Sequence, residues 1–371
     1  MTRKVFVHIG APKTGTTYLQ DRLFLNRVAL EKRGVLYPVG LHADMFGAAV
    51  DLIERGWGGQ GAESEGYWDG LMKRVRRSSA ETLVISHEIL AGAYPAQIER
   101  AINDLAGFEI HVVYTARDLA RQIPAEWQEH VKHRGTAPFR RFLRKVRDAS
   151  QASSTRWFWR VQGLPDVLTR WGRHLPPERV HLITVPQSGA PRELLWHRFC
   201  DVVGIDPAWA PVDSTRHNVS LGVAEVTLVR RLNDRIGGSD RFEGRDYRQL
   251  VREVVAHRTL AHRERTQRVV VPPRSYGWIS EVAEHWIEWI QGAGIDVVGD
   301  LDELRPCFPE PGPDGRVRWV DPDKPRPRDV ADASLDALAA LLVETAKRPN
   351  PQDTVRAQVG KAVRRFRGGG V

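Results

Sequence analysis

HIGAPKTGTTYLQ, residues 8–20, is the stretch that decides how the chain is read. It continues KVFVHI (4–9), a compact apolar run of strand type. It leads into Leu19, Leu23, Val28 and Leu30, apolar positions at helical spacing that run to about KRG (32–34). A strand that enters a glycine-bearing turn and leaves as a helix points successive backbone amides outward at the positive end of a helix dipole. Gly10 and Gly15 let the backbone turn tightly and approach an anion, and Thr16 and Thr17 add hydroxyl donors where the helix starts. The string as a whole predicts an anion-binding loop; a glycine pair alone would fit a turn that binds nothing.

Loops that hold a magnesium triphosphate read GxxxxGK[ST], with the lysine directly after the second glycine. Here Thr16 stands at that place, and the lysine lies on the crest of the loop as Lys13. The hydroxyl is kept while the cation is moved. This weighs against a P-loop kinase or nucleotidase using a magnesium nucleotide, which stands as the alternative enzyme class.

APKTGTTYLQ (11–20) resembles the 5′-phosphosulfate loop of sulfotransferases that use 3′-phosphoadenosine 5′-phosphosulfate (PAPS), a Pro-Lys-Ser/Thr-Gly-Thr-Thr string. The resemblance implies that Pro12, Lys13, Thr14, Gly15, Thr16 and Thr17 hold the 5′-phosphate, chiefly through the amides of residues 13–17. It further implies that Lys13 neutralises the charge on the oxygen between phosphorus and sulfur as that bond breaks. ETLVISHEILAGAYP (81–95) is similar to the family's next element, a strand ending in the catalytic base. That base is a histidine in cytosolic members and a glutamate in glycan-modifying ones, and here His87 and Glu88 are adjacent. Neighbours after a strand point opposite ways, so one of the two faces the sulfuryl group. A histidine titrates near neutrality without large tuning, which places His87 ahead of Glu88.

IHVVYTARDLARQIPAEWQ (110–128) resembles the 3′-phosphate segment, a strand followed by arginine and, eight residues on, serine. Arg117 fits the arginine, whose fork holds phosphate in two places. Ala125 stands where the family has its serine, with Arg121 or Gln122 as replacement donors. In STRHNVSL (214–221), Arg216, Asn218 and Ser220 offer further donors. The implied reaction is in-line sulfuryl transfer from PAPS to a hydroxyl or amine of a carbohydrate, lipid or small metabolite, with no metal. A catalytically degenerate, anion-binding relative of the same fold is the non-enzymatic alternative.

GVLYPV (34–39), TLVIS (82–86), IHVVYT (110–115) and VHLITV (180–185) are further strand-like runs separated by helical stretches such as PDVLTRWGRHL (165–175). This alternation predicts an α/β fold: three layers, α/β/α, around a central mainly parallel sheet of the P-loop NTPase type. The expected organisation is one domain over 1–305, with a sheet core over about 1–205 and a helical remainder over 206–305. VAEVTLVRRLNDRI (223–236) and ISEVAEHWIEWIQG (279–292) carry its helical faces. A proline-rich linker or arm (306–330) and a C-terminal helix with a basic tail (331–371) follow.

A chain of 371 residues with 42% hydrophobic content has enough apolar side chain for one large core or two smaller ones, and a net charge of +9 favours acidic partners. No basic-aromatic motif for nucleic acid accompanies that charge. Two cysteines, Cys200 and Cys307, give no zinc site or disulfide framework and fit a reducing compartment. The first residues lack a signal-peptide pattern, so a cytoplasmic location is expected. The tail VRAQVGKAVRRFRGGGV (355–371) is read as a solvated end, with peripheral membrane contact as the alternative. Among 12 tryptophans, Trp57, Trp68, Trp127, Trp157 and Trp159 fall near the site segments and suit an aromatic acceptor wall or plain core packing. His130 and His133 have helical spacing but no further metal ligands nearby in sequence.

Overall fold

A computed structural model describes residues 2–54, 64–149, 157–216, 220–237, 242, 244–264, 266–315 and 317–347. Six strands form its sheet: β1 (Lys4–His8), β2 (Val35–Leu36), β3 (Thr82–Ser86), β4 (Glu109–Ala116), β5 (Val180–Thr184) and β6 (Asp296–Val298). Their order is β2-β3-β1-β4-β5-β6, and every pair is parallel. Val5, Phe6 and Val7 of β1 and Leu83, Val84 and Ile85 of β3 are all buried, so both faces of the sheet are covered by helices. Each such side chain contributes roughly 1.5–3 kcal/mol of apolar burial. The three-layer α/β/α expectation holds.

The topology places the site. From β1 the chain goes on to β2 on one side, and from β4 to β5 on the other, so a crevice opens at the carboxyl ends of β1 and β4. His8 at the end of β1 is registered with Ser86 of β3 and Val113 of β4. The loop after β1 and the residues His87 and Glu88 after β3 therefore emerge side by side.

Beneath the loop, a buried relay ties the three strands. His8 Nδ1 lies 2.7 Å from Ser86 Oγ and Nε2 lies 3.4 Å from Thr115 Oγ1. Thr115 Oγ1 is 2.6 Å from Thr14 Oγ1, and the Thr14 hydroxyl donates to Ala11 O at 2.5 Å. Burial pushes His8 down to about 4, keeping it neutral within this chain of donors and acceptors. Farther along the sheet, Glu109, His111, His181 and Asp296 are hydrogen-bonded in series across β4, β5 and β6.

Several sequence expectations need correction. The sheet does not end near residue 205, because β6 pairs with β5 through His181, Leu182 and Ile183. The helix after the loop stops at Leu25, and a second runs Arg27–Glu31. Asn26 separates them, its side-chain amide bonded both ways to the Val212 backbone at 2.8 and 3.0 Å. GVLYPV supplies only a two-residue strand, since Pro38 has no donor to extend the ladder.

The proline-rich stretch is a docked arm. Asp323 accepts from the amides of Phe139 and Arg140 at 2.7 and 2.9 Å, and Thr227 donates to Pro322 O at 2.9 Å. The helix that follows, Pro327–Ala346, begins inside that stretch and buries Val330, Ala333 and Ala337 against the helices Val223–Ile236 and Tyr247–Thr259. The basic tail and Trp57 lie outside the described residues. Among the described residues no helix is long and apolar enough to cross a membrane.

Candidate active site

The loop is left-handed at Gly10 (φ +36°), Lys13 (φ +68°) and Gly15 (φ +89°). A Cβ on Gly15 would sit 2.4 Å from Leu195 Cδ2, and one on Gly10 would sit 2.5 Å from Thr16 Cγ2, which is why glycine occupies both places. Lys13 adopts the same region with a side chain, a local strain characteristic of functional turns. Ala11 N donates to Thr115 O at 3.0 Å and fixes the loop to β4. Two glutamine amides hold its crest: Gln122 Nε2 and Gln162 Nε2 both donate to Pro12 O, the latter at 3.0 Å. Gly15 then caps the helix Thr16–Leu25 without a side-chain partner. Among the described residues no acceptor meets the amides of residues 13–17, the arrangement a bound anion satisfies.

A cavity of about 470 Å³ opens over this loop. Pro12, Lys13, Thr16 and Thr17 line it together with His87 and Glu88, so the structure gathers six of the anticipated residues. Gln20, one turn beyond Thr16, also lines it and donates to Glu88 Oε2 at 2.9 Å. Thr14, Gly15, Arg117 and Ala125 are not among the lining residues. Thr14 is turned inward to the relay described above. Arg117 donates from Nε to Gln122 Oε1 at 3.0 Å and from Nη2 to Arg121 O at 3.1 Å, so it reaches the loop through Gln122 and Pro12. Burial brings its guanidinium down to about 10, with Arg121 adding to the effect. Arg121 itself is spent on Asp118 and on the carbonyls of Val185 and Pro186. Of the later donors, Arg216 lines the cavity and pairs with Asp21 at 3.3 Å, Ser220 is exposed and does not line it, and Asn218 lies outside the described residues. Trp68, Trp127 and Trp159 are core residues, whereas Trp157 lines the cavity.

His87 caps the short 3₁₀ turn Glu88–Gly92, its Nδ1 accepting from Ile89 N at 3.3 Å. Burial lowers its pKa, with Glu88 acting in the opposite sense, so the ring is neutral near pH 7 and carries its proton on Nε2. Glu88 is ionised: burial alone would raise it, but His87, the Gln20 amide and Lys13 hold it below the usual carboxylate range. The two side chains approach to 3.8 Å.

Three residues of the helix Leu119–Lys132, at spacing i, i+3 and i+6, complete the wall: Glu126, Glu129 and Lys132. Glu129 Oε2 is 2.5 Å from Lys13 Nζ, while its Oε1 is 3.1 Å from His133 Nε2 and 3.2 Å from Arg252 Nη2. Burial opposes ionisation of Glu129, yet Lys13 and the other basic neighbours carry it well below the usual range. Glu126 has the opposite balance. Burial, aided by Glu129, pushes it up to about 7 despite Lys13 and the Gln162 amide at 3.2 Å. Lys132 is driven down to about 8 by burial and by Lys13. Charged residues at helical spacing were the available signal for this wall, and they look the same in a solvated face. Among the described residues no three His, Cys, Asp or Glu side chains converge as a metal set.

No family model and no curated protein matches the chain. Among solved structures, a sulfotransferase from Alicyclobacillus acidocaldarius is similar over 59% of this chain and 87% of its own, with 18% identity and a TM-score of 0.37. A likeness of that size leaves function to be argued from the site itself.

Proposed function

We propose that the protein is a sulfotransferase that moves a sulfuryl group from PAPS to a hydroxyl or amine of an acceptor. The observation that carries this reading is the union, in one cavity, of an amide-lined loop, a crest lysine and an acid–histidine pair from the adjacent strand. The loop suits one phosphate: among the described residues no acceptor meets its amides at 13–17, and glycine at positions 10 and 15 lets the backbone turn where a Cβ would strike Thr16 or Leu195. Thr16 and Thr17 add hydroxyls beside it.

In this reading the acceptor oxygen bonds to sulfur as the bond from sulfur to the bridging oxygen breaks, and that electron pair leaves on the 5′-phosphate of adenosine 3′,5′-bisphosphate. Lys13 meets the charge developing on the leaving oxygen, releasing Glu129 to do so. Glu88 takes the acceptor's proton. It is the preferred base because it is an ionised, acceptor-only group oriented by Gln20, whereas His87 commits its lone pair to Ile89 N and presents an Nε2–H donor. The proton moves late, once the attacking oxygen has lost electron density to sulfur and become strongly acidic. Arg117 and Gln122 act behind the loop by holding Pro12. Positioning and charge stabilisation supply the catalysis, as in phosphoryl transfer.

Calorimetry with adenosine 3′,5′-bisphosphate and with ATP, each with and without magnesium, tests the proposal. Binding of the bisphosphate without a magnesium requirement is expected. Binding of ATP only with magnesium, and none of the bisphosphate, would overturn it.

A further inference from the structure

The end of the cavity beyond Lys13 carries more positive charge than its own carboxylates balance. Four basic groups surround the single Glu129 carboxylate: Lys13 at 2.5 Å, His133 at 3.1 Å, Arg252 at 3.2 Å and Lys132 at 3.9 Å. Three of these are lysine or arginine, against Glu129 and the partly protonated Glu126 one turn before it. Lys132 is the sharpest case, because its side chain is 6% exposed and its partner is that shared carboxylate, beyond hydrogen-bond reach. Among the described residues its ammonium has no acceptor within hydrogen-bond distance, which is costly in a mostly buried side chain, as its pKa near 8 reflects. The cations come from separate elements. Lys132 ends the helix Leu119–Lys132, and Arg252 lies in Tyr247–Thr259, which winds as a π-helix, a rare form concentrated at functional sites.

We propose that Lys132 and Arg252, together with Lys13, form a second anion subsite beside the loop, which takes a carboxylate, phosphate or sulfate group carried by the acceptor. The assignment rests on the sulfotransferase reading. There the loop amides take the nucleotide's 5′-phosphate, and the resemblance puts its 3′-phosphate at the Arg117 end of the helix. Lys132 ends that helix, thirteen residues past its first residue Leu119, about 20 Å at 1.5 Å per residue. It stands past Lys13, where the transferred group leaves the nucleotide. An anionic acceptor anchored there shares the charge that Glu129, with the partly ionised Glu126, now balances.

The test uses inorganic sulfate as the probe, titrated calorimetrically at low ionic strength into the full chain saturated with adenosine 3′,5′-bisphosphate. Wild-type protein is expected to bind sulfate on top of the bisphosphate. Lys132→Met, which keeps the aliphatic stem, and Arg252→Ala, at a partly exposed position, should each weaken sulfate at least about tenfold and leave bisphosphate affinity within about twofold. Absence of sulfate binding to the bisphosphate complex overturns the proposal. Equal loss of bisphosphate affinity in both variants also overturns it and assigns the cluster to the nucleotide. Sulfate that PAPS expels from the complex occupies the transferred group's own place, a third refuting result. If wild-type protein binds no bisphosphate, the sulfotransferase reading fails by itself; sulfate binding to the free chain, retained or lost in Lys132→Met, then judges the subsite separately.

Discussion

Glu126 offers a test that needs no ligand. Its carboxyl titrates near 7 in the folded chain against an ordinary value of 4.5, because burial and Glu129 outweigh Lys13 and Gln162. Between those two values the folded state binds more protons than the unfolded one, so stability falls as pH rises through that window. Below about 4.5 the group contributes nothing; above about 7 its full penalty applies. At roughly 1.4 kcal/mol per pH unit, the interval from 4.5 to about 7 gives on the order of 3 kcal/mol. Glu126→Gln keeps the oxygen that accepts from Gln162 and removes the ionisation. Urea unfolding of both proteins at pH 5 and pH 8 should therefore show the variant gaining on wild type by about that amount at the higher pH only. Lys13→Met should enlarge the wild-type deficit at pH 8, since Lys13 is the charge that opposes protonation, and should not do so when combined with Glu126→Gln. An offset between wild type and Glu126→Gln that is the same at both pH values would refute the burial argument.

Four further outcomes follow from the same geometry. Lys13→Ala should lower sulfuryl transfer by ~10²–10³-fold, measured as product from labelled PAPS, as loss of a preorganised charge-stabilising donor does elsewhere. Glu88→Gln should abolish transfer while keeping bisphosphate affinity by calorimetry, whereas His87→Gln should retain measurable turnover; the reverse pattern would move the base to His87. Gln122→Ala leaves Arg117 Nε without its acceptor and removes one of the two amides on Pro12, so urea unfolding should show a loss of about 1–3 kcal/mol, more than Gln162→Ala. Asp323→Ala should cost about 1 kcal/mol and raise hydrogen exchange at Phe139 and Arg140, because the arm's carboxylate caps the N-terminus of the helix Phe139–Asp148.

The parts of this molecule that could be read in the sequence are those whose cause is local. Gly10 and Gly15 mark backbone that a side chain would obstruct, and the runs around β1, β3, β4 and β5 are apolar because both faces of the sheet are covered. VAEVTLVRRLNDRI forms the helix Val223–Ile236 over its full length for the same reason, a buried face at helical period. β6 escaped because three residues, DVV, become a strand only by pairing with β5. Arg117 was visible as an arginine after a strand, but its engagement with Gln122 depends on how Pro12 is held. Glu126, Glu129 and Lys132 look like an ordinary charged helix face until the segment carrying Arg252, 123 residues past Glu129, closes over them.

The lysine that departs from the triphosphate pattern has a structural reason in the same terms. Position 16 is 2% exposed, with its methyl group packed toward Gly10, so a lysine there would begin in a site already filled. Position 13 lies on a left-handed crest that projects its side chain into the cavity, where the ammonium meets Glu129 at 2.5 Å. Moving the cation by three residues puts it in the cavity that Glu88 and Lys132 also line. On the proposed reading that is where the bond to sulfur breaks. On that same reading Glu129 neutralises Lys13 until an anion arrives, so that the loop's charge is held ready without leaving a partly buried ammonium uncompensated.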